Sequence, residues 1–74
     1  MNITMKDILR ALRRQKKVTQ EELANHLGIT AQSVGKWERG EGFPDITLLP
    51  SIALYFGVTT DELLGIDKAR SMSG

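Results

Sequence analysis

Residues 20–39 constrain the fold of this chain more than any other segment. Two short helices that cross steeply through a tight turn need apolar and small residues at fixed places. Seven positions of the segment agree with that need: Leu23, Ala24, Leu27, Gly28, Ile29, Val34 and Trp37. The large side chains supply the inward faces, Ile29 plugs the turn, Ala24 lets the helices approach closely, and Gly28 permits a positive φ. The segment therefore predicts a helix-turn-helix unit.

Capping signals indicate where these two helices begin and end. The sequence TQEE at residues 19–22 is a capping box, in which the threonine oxygen accepts from the last glutamate's amide and that glutamate's carboxylate accepts from the threonine amide. The first of the two helices therefore starts near Gln20 and ends before Gly28. Thr30 is placed to cap the next helix, which runs to about Arg39.

Apolar residues also recur at helical spacing outside this unit. The inner face of a first helix is formed by Met5, Ile8, Leu9 and Leu12, and this helix fades in the polar run 13–17. A fourth helix begins at about Leu48, so that Pro50 falls in its first turn, where a missing amide is tolerated. A second capping box, TTDE at residues 59–62, opens a short fifth helix. Because no window shows the strict alternation of a half-buried strand, the sequence predicts an all-α domain of five helices.

Length and composition narrow the class of protein. A chain of 74 residues with 41% hydrophobic content can fill one small core, which disfavours a large enzyme. We expect the ordered domain over residues 1–66, followed at 67–74 by a flexible tail or the start of a linker. With no cysteine and only one histidine, His26, neither a metal nor a cofactor is expected. The sequence has no membrane-length apolar run and no signal-peptide pattern, so we expect a cytoplasmic protein without membrane contact.

Charge is divided unevenly along the chain, although the formal total is only +1. Residues 1–40 hold eight lysines and arginines against four acids, whereas residues 41–74 hold two bases against five acids. The first part therefore carries +4 and the second −3. A surface built from the first three helices could face a polyanion.

These motifs together are similar to those of a known family. The run TQEELANHLGITAQSVGKWERGEGFPD, followed by IALYFGVTTDELL, resembles the DNA-binding domain of Cro and lambda-type phage repressors and of bacterial regulators of the xenobiotic-response-element type. The resemblance covers roughly residues 5–65. It implies a compact five-helix bundle in which helices 2 and 3 form the helix-turn-helix. It also implies that the second of these helices lies in the major groove of operator DNA, usually with the protein as a dimer.

The resemblance implies base contacts by the recognition helix, at about residues 31–39. Ala31, Gln32 and Lys36 match its groove-facing positions. Gln32 can bond adenine bidentately, Lys36 can donate to guanine or to a phosphate, and Ala31 can touch a thymine methyl. The alternative interpretation is a solvated helix face. The interpretation that these residues face the major groove is favoured, because Val34 and Trp37 occupy the inner face of the helix.

The resemblance also implies a set of contacts to the DNA backbone, for which the candidates are Gln20, Ser33, Arg39, Lys17, Arg13 and Gly42. Gln20 lies at a helix N-terminus, which favours anions, so its side chain can bind a DNA phosphate. The alternative is that Gln20 is simply an exposed polar residue in the first turn of the helix. Further basic candidates are Lys36, Lys16, Arg10 and Arg14, for which a merely solvated face is the alternative.

Two features of the family pattern concern stability and helix shape. Arg13 and Glu38 match a pair that joins helix 1 to helix 3 in a partly buried salt bridge. Glu38 is four residues from Val34 and so points inward, where an unpaired carboxylate would be costly. The alternative is that Arg13 and Glu38 are two separately solvated charges.

Gly35 departs from the family pattern, because relatives with SKWERG carry serine where this chain reads GKWERG. Glycine within a helix costs about 1 kcal/mol relative to alanine, and here it removes a phosphate donor and allows a closer approach to the DNA backbone.

Aromatic and acidic residues outside this pattern favour structural roles. The spacing of Trp37 from Val34 favours core packing over a base-stacking platform, and we expect Phe43 to anchor the loop that follows helix 3. His26 lies on the outer side of helix 2 without a second metal ligand. The acids of the second capping box are accounted for by the box itself, and no nucleophile with a base and an orienting group is present, so no catalysis is expected.

The sequence therefore favours sequence-specific binding of double-stranded DNA by a bacterial or phage transcription regulator, a repressor. The family implies a homodimer with half-sites roughly 34–36 Å apart. Helix 5, with Val58, Leu63 and Leu64, is where we look for its interface. Many relatives continue into another domain, and the sequence leaves open whether this chain is full length or continues into a C-terminal domain. The alternative function is a protein-interaction module, such as an antitoxin-like or adaptor domain, that binds a partner protein through the same helices.

Overall fold

The computed structural model describes residues 4–65, which form five α-helices joined by short turns. The helices are α1 (Met5–Lys16), α2 (Gln20–Leu27), α3 (Ala31–Glu38), α4 (Leu49–Phe56) and α5 (Thr60–Leu64), and a 3₁₀ turn, Ile46–Leu48, leads into α4. Within residues 4–65 there is no strand. The prediction of an all-α, five-helix domain is confirmed. The predicted tail at 67–74, and residues 1–3 and 66 of the predicted domain, lie outside the described residues.

One core joins all five helices. Its buried side chains are Met5, Leu9, Leu23, Ala24, Val34, Trp37, Ile52, Ala53 and Leu63. Complete removal of a leucine or isoleucine side chain from water contributes about 1.5–3 kcal/mol. Helices of five to twelve residues are marginal on their own, so packing against this core holds them. Trp37 is part of it, as its spacing predicts.

The turn between α2 and α3 has the predicted form. Gly28 adopts φ +74°, and its amide and the amide of Ile29 donate to the carbonyls of Asn25 and Ala24. Ala24 is 1% exposed, consistent with the close approach of α3 at this point. The predicted capping box at Thr19 is formed, and the Thr30 side chain caps α3. Local signals therefore fix the helix-turn-helix.

Two helix boundaries differ from the sequence-based expectation. α1 does not fade at Arg13 but continues to Lys16, and Lys17 then takes the left-handed conformation that closes the helix, with φ +60°. Lysine is an uncommon residue in this conformation, so the sequence pattern contains no stop signal at this position. α4 begins at Leu49, one residue later than predicted, and Pro50 lies in its first turn as expected.

The structure also corrects two side-chain predictions. Phe43 does not anchor its loop, because it is 79% exposed, and the neighbouring Pro44 is the buried residue. Leu63 is fully buried in the core, so it is wrong as a residue of a dimer interface. Leu64 is 39% exposed and remains on the surface of α5.

None of the helices described here is long and apolar enough to cross a membrane. Over the same residues, 4–65, no group of three or more histidine, aspartate or glutamate side chains is arranged to hold a metal ion.

Candidate nucleic-acid interface

A buried carboxylate organises the end of α3. Glu38 is 2% exposed, and its carboxylate accepts hydrogen bonds from Arg13 Nε and Nη2 at 2.7 and 3.0 Å and from Gln20 Nε2 at 3.1 Å. Burial by itself raises the pKa of this carboxyl. The hydrogen bonds from Arg13 and Gln20, together with the charges of Arg13 and Arg10, outweigh burial and hold the pKa below its usual value. Glu38 is therefore ionised at neutral pH.

Two arginines of α1 bind this end of α3. Arg13 forms the bidentate pair with Glu38 and also donates from Nη1 to the carbonyl of Val18 at 3.0 Å. Arg10 Nη2 donates to the backbone carbonyl of Glu38 at 2.8 Å. Positive charge near the C-terminus of a helix is favoured by the helix dipole. The side chain of Arg13 is only 17% exposed, so its positive charge attracts an external anion mainly over a distance rather than by direct contact.

The opposite side of α3 presents polar side chains to solvent. Gln32 and Lys36 are exposed and lie four residues apart, so they share one face. Val34, Trp37 and Glu38 occupy the buried side. The face that the sequence assigns to the major groove is therefore the free one.

Two other residues assigned to α3 are less accessible. Ala31 is half-buried and packs against the core, so only part of its methyl group faces outward. Ser33 is also half-buried, and its hydroxyl lies 3.0 Å from the hydroxyl of Thr30, which caps the helix and accepts from the Ser33 amide. Ser33 therefore takes part in the cap of α3.

The remaining predicted phosphate contacts lie at the end of α1, at the start of α2 and in the segment that follows α3. Gln20 is half-buried in the first turn of α2, with its amide nitrogen on Glu38. Arg39 is exposed and pairs with Glu41 at 2.9 Å. The hydrogen bond and charge of Arg39 lower the pKa of the Glu41 carboxyl. Lys17 is exposed at the end of α1, and Gly42 is half-buried in the loop.

Sequence reasoning missed two contacts in the described part of the chain. The first is Glu41 as the partner of Arg39; the spacing of arginine, glycine and glutamate in RGE is the signal that points to it, because a glycine turn can bring the two charges together. The second is a cluster of side chains from α1, α2 and α4. Lys16 Nζ lies 5.0 Å from the centre of the Tyr55 ring, which stacks on His26 at 4.4 Å. Lys16, a basic candidate in the sequence, is thus engaged with α4.

Comparison with known protein families finds a match to most of this chain. A family model described as Helix-turn-helix (HTH_3) matches residues 9–63. The chain is 45% identical over 65 residues to the HTH-type transcriptional activator BcrR of Enterococcus faecalis, covering 88% of this chain and 32% of that protein. The chain therefore spans about a third of the length of this curated relative.

Solved structures share the fold. The P22 c2 repressor, crystallised with a synthetic operator, superposes with a TM-score of 0.83 at 27% identity, covering 89% of this chain and 100% of that one. Hydroxypropylphosphonic acid epoxidase from S. wedmorenis is also similar, with a TM-score of 0.73 at 34% identity, over 81% of this chain and 32% of that one. Because the family model covers most of the chain and the five helices superpose on a phage repressor, this chain belongs to the Cro and lambda-repressor-like helix-turn-helix family.

Proposed function

We propose that this domain binds double-stranded DNA sequence-specifically as part of a transcription regulator, with α3 in the major groove. The observation that carries the proposal is the two-sided character of α3. Its inner side is fixed by Val34, Trp37 and the ion pair of Glu38, while Gln32 and Lys36 stand exposed on the outer side. A helix that is rigidly held from behind loses little conformational freedom when its outer face binds.

The exposed pair has the chemistry for reading bases. The amide of Gln32 can donate to and accept from one adenine, and Lys36 can donate to guanine or to a phosphate. Ala31 contributes through the exposed part of its methyl group, which can contact a thymine methyl. Such contacts distinguish one sequence from another, whereas phosphate contacts fix the register.

Phosphate contacts are proposed for Gln20, Ser33, Arg39, Lys17, Arg13 and Gly42. Lys17 and Arg39 offer exposed positive charge, and Arg13 adds charge close to α3. Ser33, at the beginning of α3, and the backbone of Gly42 would add weaker contacts. The charge of +4 over residues 1–40 supports this set, because displaced counterions supply much of the affinity for DNA.

The similar proteins support DNA binding, but their names include both an activator and a repressor. The proposal therefore concerns DNA binding and assigns no direction of regulation. No catalytic step is proposed, although about a third of the epoxidase chain shares this fold. The carboxylate of Glu62, for example, is used at the start of α5, where the Glu62 and Thr59 side chains each accept from the other's amide.

We further propose that the domain acts in the cytoplasm as a homodimer on DNA. Exposed apolar residues on the last two helices, Leu54 at 83% and Leu64 at 39%, are the candidates for contacts between protomers. Sedimentation of the complex should find two chains per duplex. One chain per duplex at saturation would contradict the dimer without affecting the proposal of DNA binding.

Selection of bound sequences from a random DNA pool tests the function. We expect enrichment of a defined half-site and an affinity that falls as salt rises, because each phosphate contact contributes roughly 0.9 to the slope of log K against log salt. A pool that shows no enrichment, together with binding independent of salt, would contradict the proposal. If the domain retains no DNA at low salt but binds a partner protein, the protein-interaction alternative is favoured.

A further inference from the structure

The side chains of Gln20 and Arg39 both reach the space beside Gly35 in the middle of α3. A β-carbon added at Gly35 would lie 3.1 Å from Arg39 Nη1 and 3.4 Å from Gln20 Oε1. These two side chains therefore occupy the space that a larger residue at position 35 would need. Gln20, at the start of α2, and Arg39, at the end of α3, are both proposed to contact phosphates.

Each of the two side chains is held by a carboxylate. Gln20 Nε2 donates to Glu38 Oε1 at 3.1 Å. Arg39 uses Nε and Nη2 on the two oxygens of Glu41, at 2.9 and 3.4 Å. Arg39 Nη1 takes no part in this pair and lies towards Gly35. The guanidinium is therefore oriented with one edge on Glu41 and with Nη1 towards Gly35, which the Gln20 amide also approaches.

The turn that ends α3 explains why Glu41 reaches Arg39. Gly40 adopts φ +75°, its amide donates to the carbonyl of Trp37 at 3.1 Å, and the amide of Glu41 donates to the carbonyl of Lys36 at 2.9 Å. This pair of hydrogen bonds is the Schellman arrangement, which reverses the chain directly after a helix. The backbone of Glu41 is thus fixed beside the last turn of α3.

We propose that Gly35 and Glu41 are positioning residues, which hold Arg39 next to Gln20 so that the two side chains bind one region of the DNA backbone together. This inference rests on the proposed function. Gly35 provides the space for the guanidinium, and Glu41 fixes its orientation before DNA arrives. Ordering a long side chain at an interface otherwise lowers affinity by about two- to tenfold. The free edge of Arg39 keeps two-donor geometry suited to phosphate oxygens.

The test compares two neutralising variants, Glu41→Gln and Glu21→Gln. The probe is a duplex of about 20 base pairs that was not selected for its sequence and that exceeds one turn of DNA. Binding is measured across a range of low salt concentrations. Glu21 is the matched control because it is exposed in the first turn of α2, beside Gln20, and no ion pair involves it in the described part of the chain. Both variants remove one negative charge from this surface. Only Glu41→Gln releases Arg39.

We expect Glu41→Gln to bind about two- to tenfold more weakly than Glu21→Gln, with a salt slope shallower by up to about 0.9. The difference should vanish when both are measured in an Arg39→Gln background. Glu41→Gln binding as tightly as Glu21→Gln, or more tightly, would overturn the inference and would mean that Glu41 competes with phosphate for Arg39. Absence of binding by the unaltered chain would overturn the proposed function and this inference with it.

A second variant tests the space above α3. Gly35→Ala places a methyl group 3.1 Å from Arg39 Nη1, so the guanidinium must move, while alanine favours the helix and protects the fold. We expect about two- to tenfold weaker binding, again only when Arg39 is present, with no loss of thermal stability. Unchanged affinity would contradict the role given to Gly35.

Discussion

Replacing Glu38 by alanine removes the acceptor on which three elements converge. The Glu38 side chain is 3% exposed, and its loss leaves the Arg13 guanidinium, in a side chain only 17% exposed, without a counter-charge. Breaking a buried ion pair by removing one partner costs about 3–5 kcal/mol. Because Arg13 retains some access to water and keeps its bond to the carbonyl of Val18, we expect the lower part of that range or slightly below, about 2–4 kcal/mol.

Thermal unfolding followed by circular dichroism measures this effect. A domain of this size has a total stability of about 4–11 kcal/mol, and each kcal/mol shifts its Tm by roughly 4–8 °C. Glu38→Ala should therefore lower the Tm by roughly 10–30 °C. The control is Lys36→Ala on the exposed face of the same helix, which should change stability by less than about 0.5 kcal/mol. Equal melting temperatures for the two variants would show that the buried ion pair of Glu38 does not stabilise the fold.

Acid should destabilise the domain partly through Glu38, because folding lowers the pKa of this carboxyl. Such a group stabilises the folded state at pH values above its unfolded pKa, about 4.3. This contribution is lost as the pH falls through the pKa of the folded state. Urea unfolding between pH 7 and 3 should give a steeper loss for the unaltered chain than for Glu38→Gln, and parallel curves would contradict this. Lys17→Gly should raise stability by up to about 1 kcal/mol, because lysine at φ +60° is strained; a lower denaturant midpoint would show that the lysine side chain contributes more than the strain costs. Gly35→Ala should stabilise by up to about 1 kcal/mol, since only the ends of flexible side chains lie near the new methyl group; a large loss in the same assay would mean that these ends cannot move.

Local signals explain why much of the fold could be predicted. The capping box at Thr19, the left-handed Gly28 and the cap at Thr30 each depend on residues within one or two turns. The inward position of Glu38 followed from its spacing on α3. Its pairing with Arg13 depended on the family resemblance, because the two residues are 25 positions apart and no local pattern joins them.

Features that depend on the path of a loop or on tertiary packing could not be predicted. Whether Phe43 or Pro44 faces the core depends on the direction in which the chain leaves α3, and the sequence pattern of the loop is equally compatible with both. Leu63 and Leu64 are adjacent apolar residues on a helix of five residues, too short for periodicity to separate the buried one from the exposed one. The RGE spacing is compatible with an Arg39–Glu41 pair, but the orientation that Glu41 gives to Arg39 beside Gly35 depends on the geometry of the turn at Gly40.

We propose that the exposed face of α3 reads DNA sequence. The ratio of affinities for a selected duplex and for a scrambled duplex of equal length, measured for the unaltered chain and for Gln32→Ala at fixed salt, tests this role. A good bidentate contact to a base is worth about 1–3 kcal/mol of discrimination, so the ratio should fall by about five- to 150-fold in Gln32→Ala while affinity for the scrambled duplex stays nearly constant. A ratio that is the same for both proteins would contradict the claim.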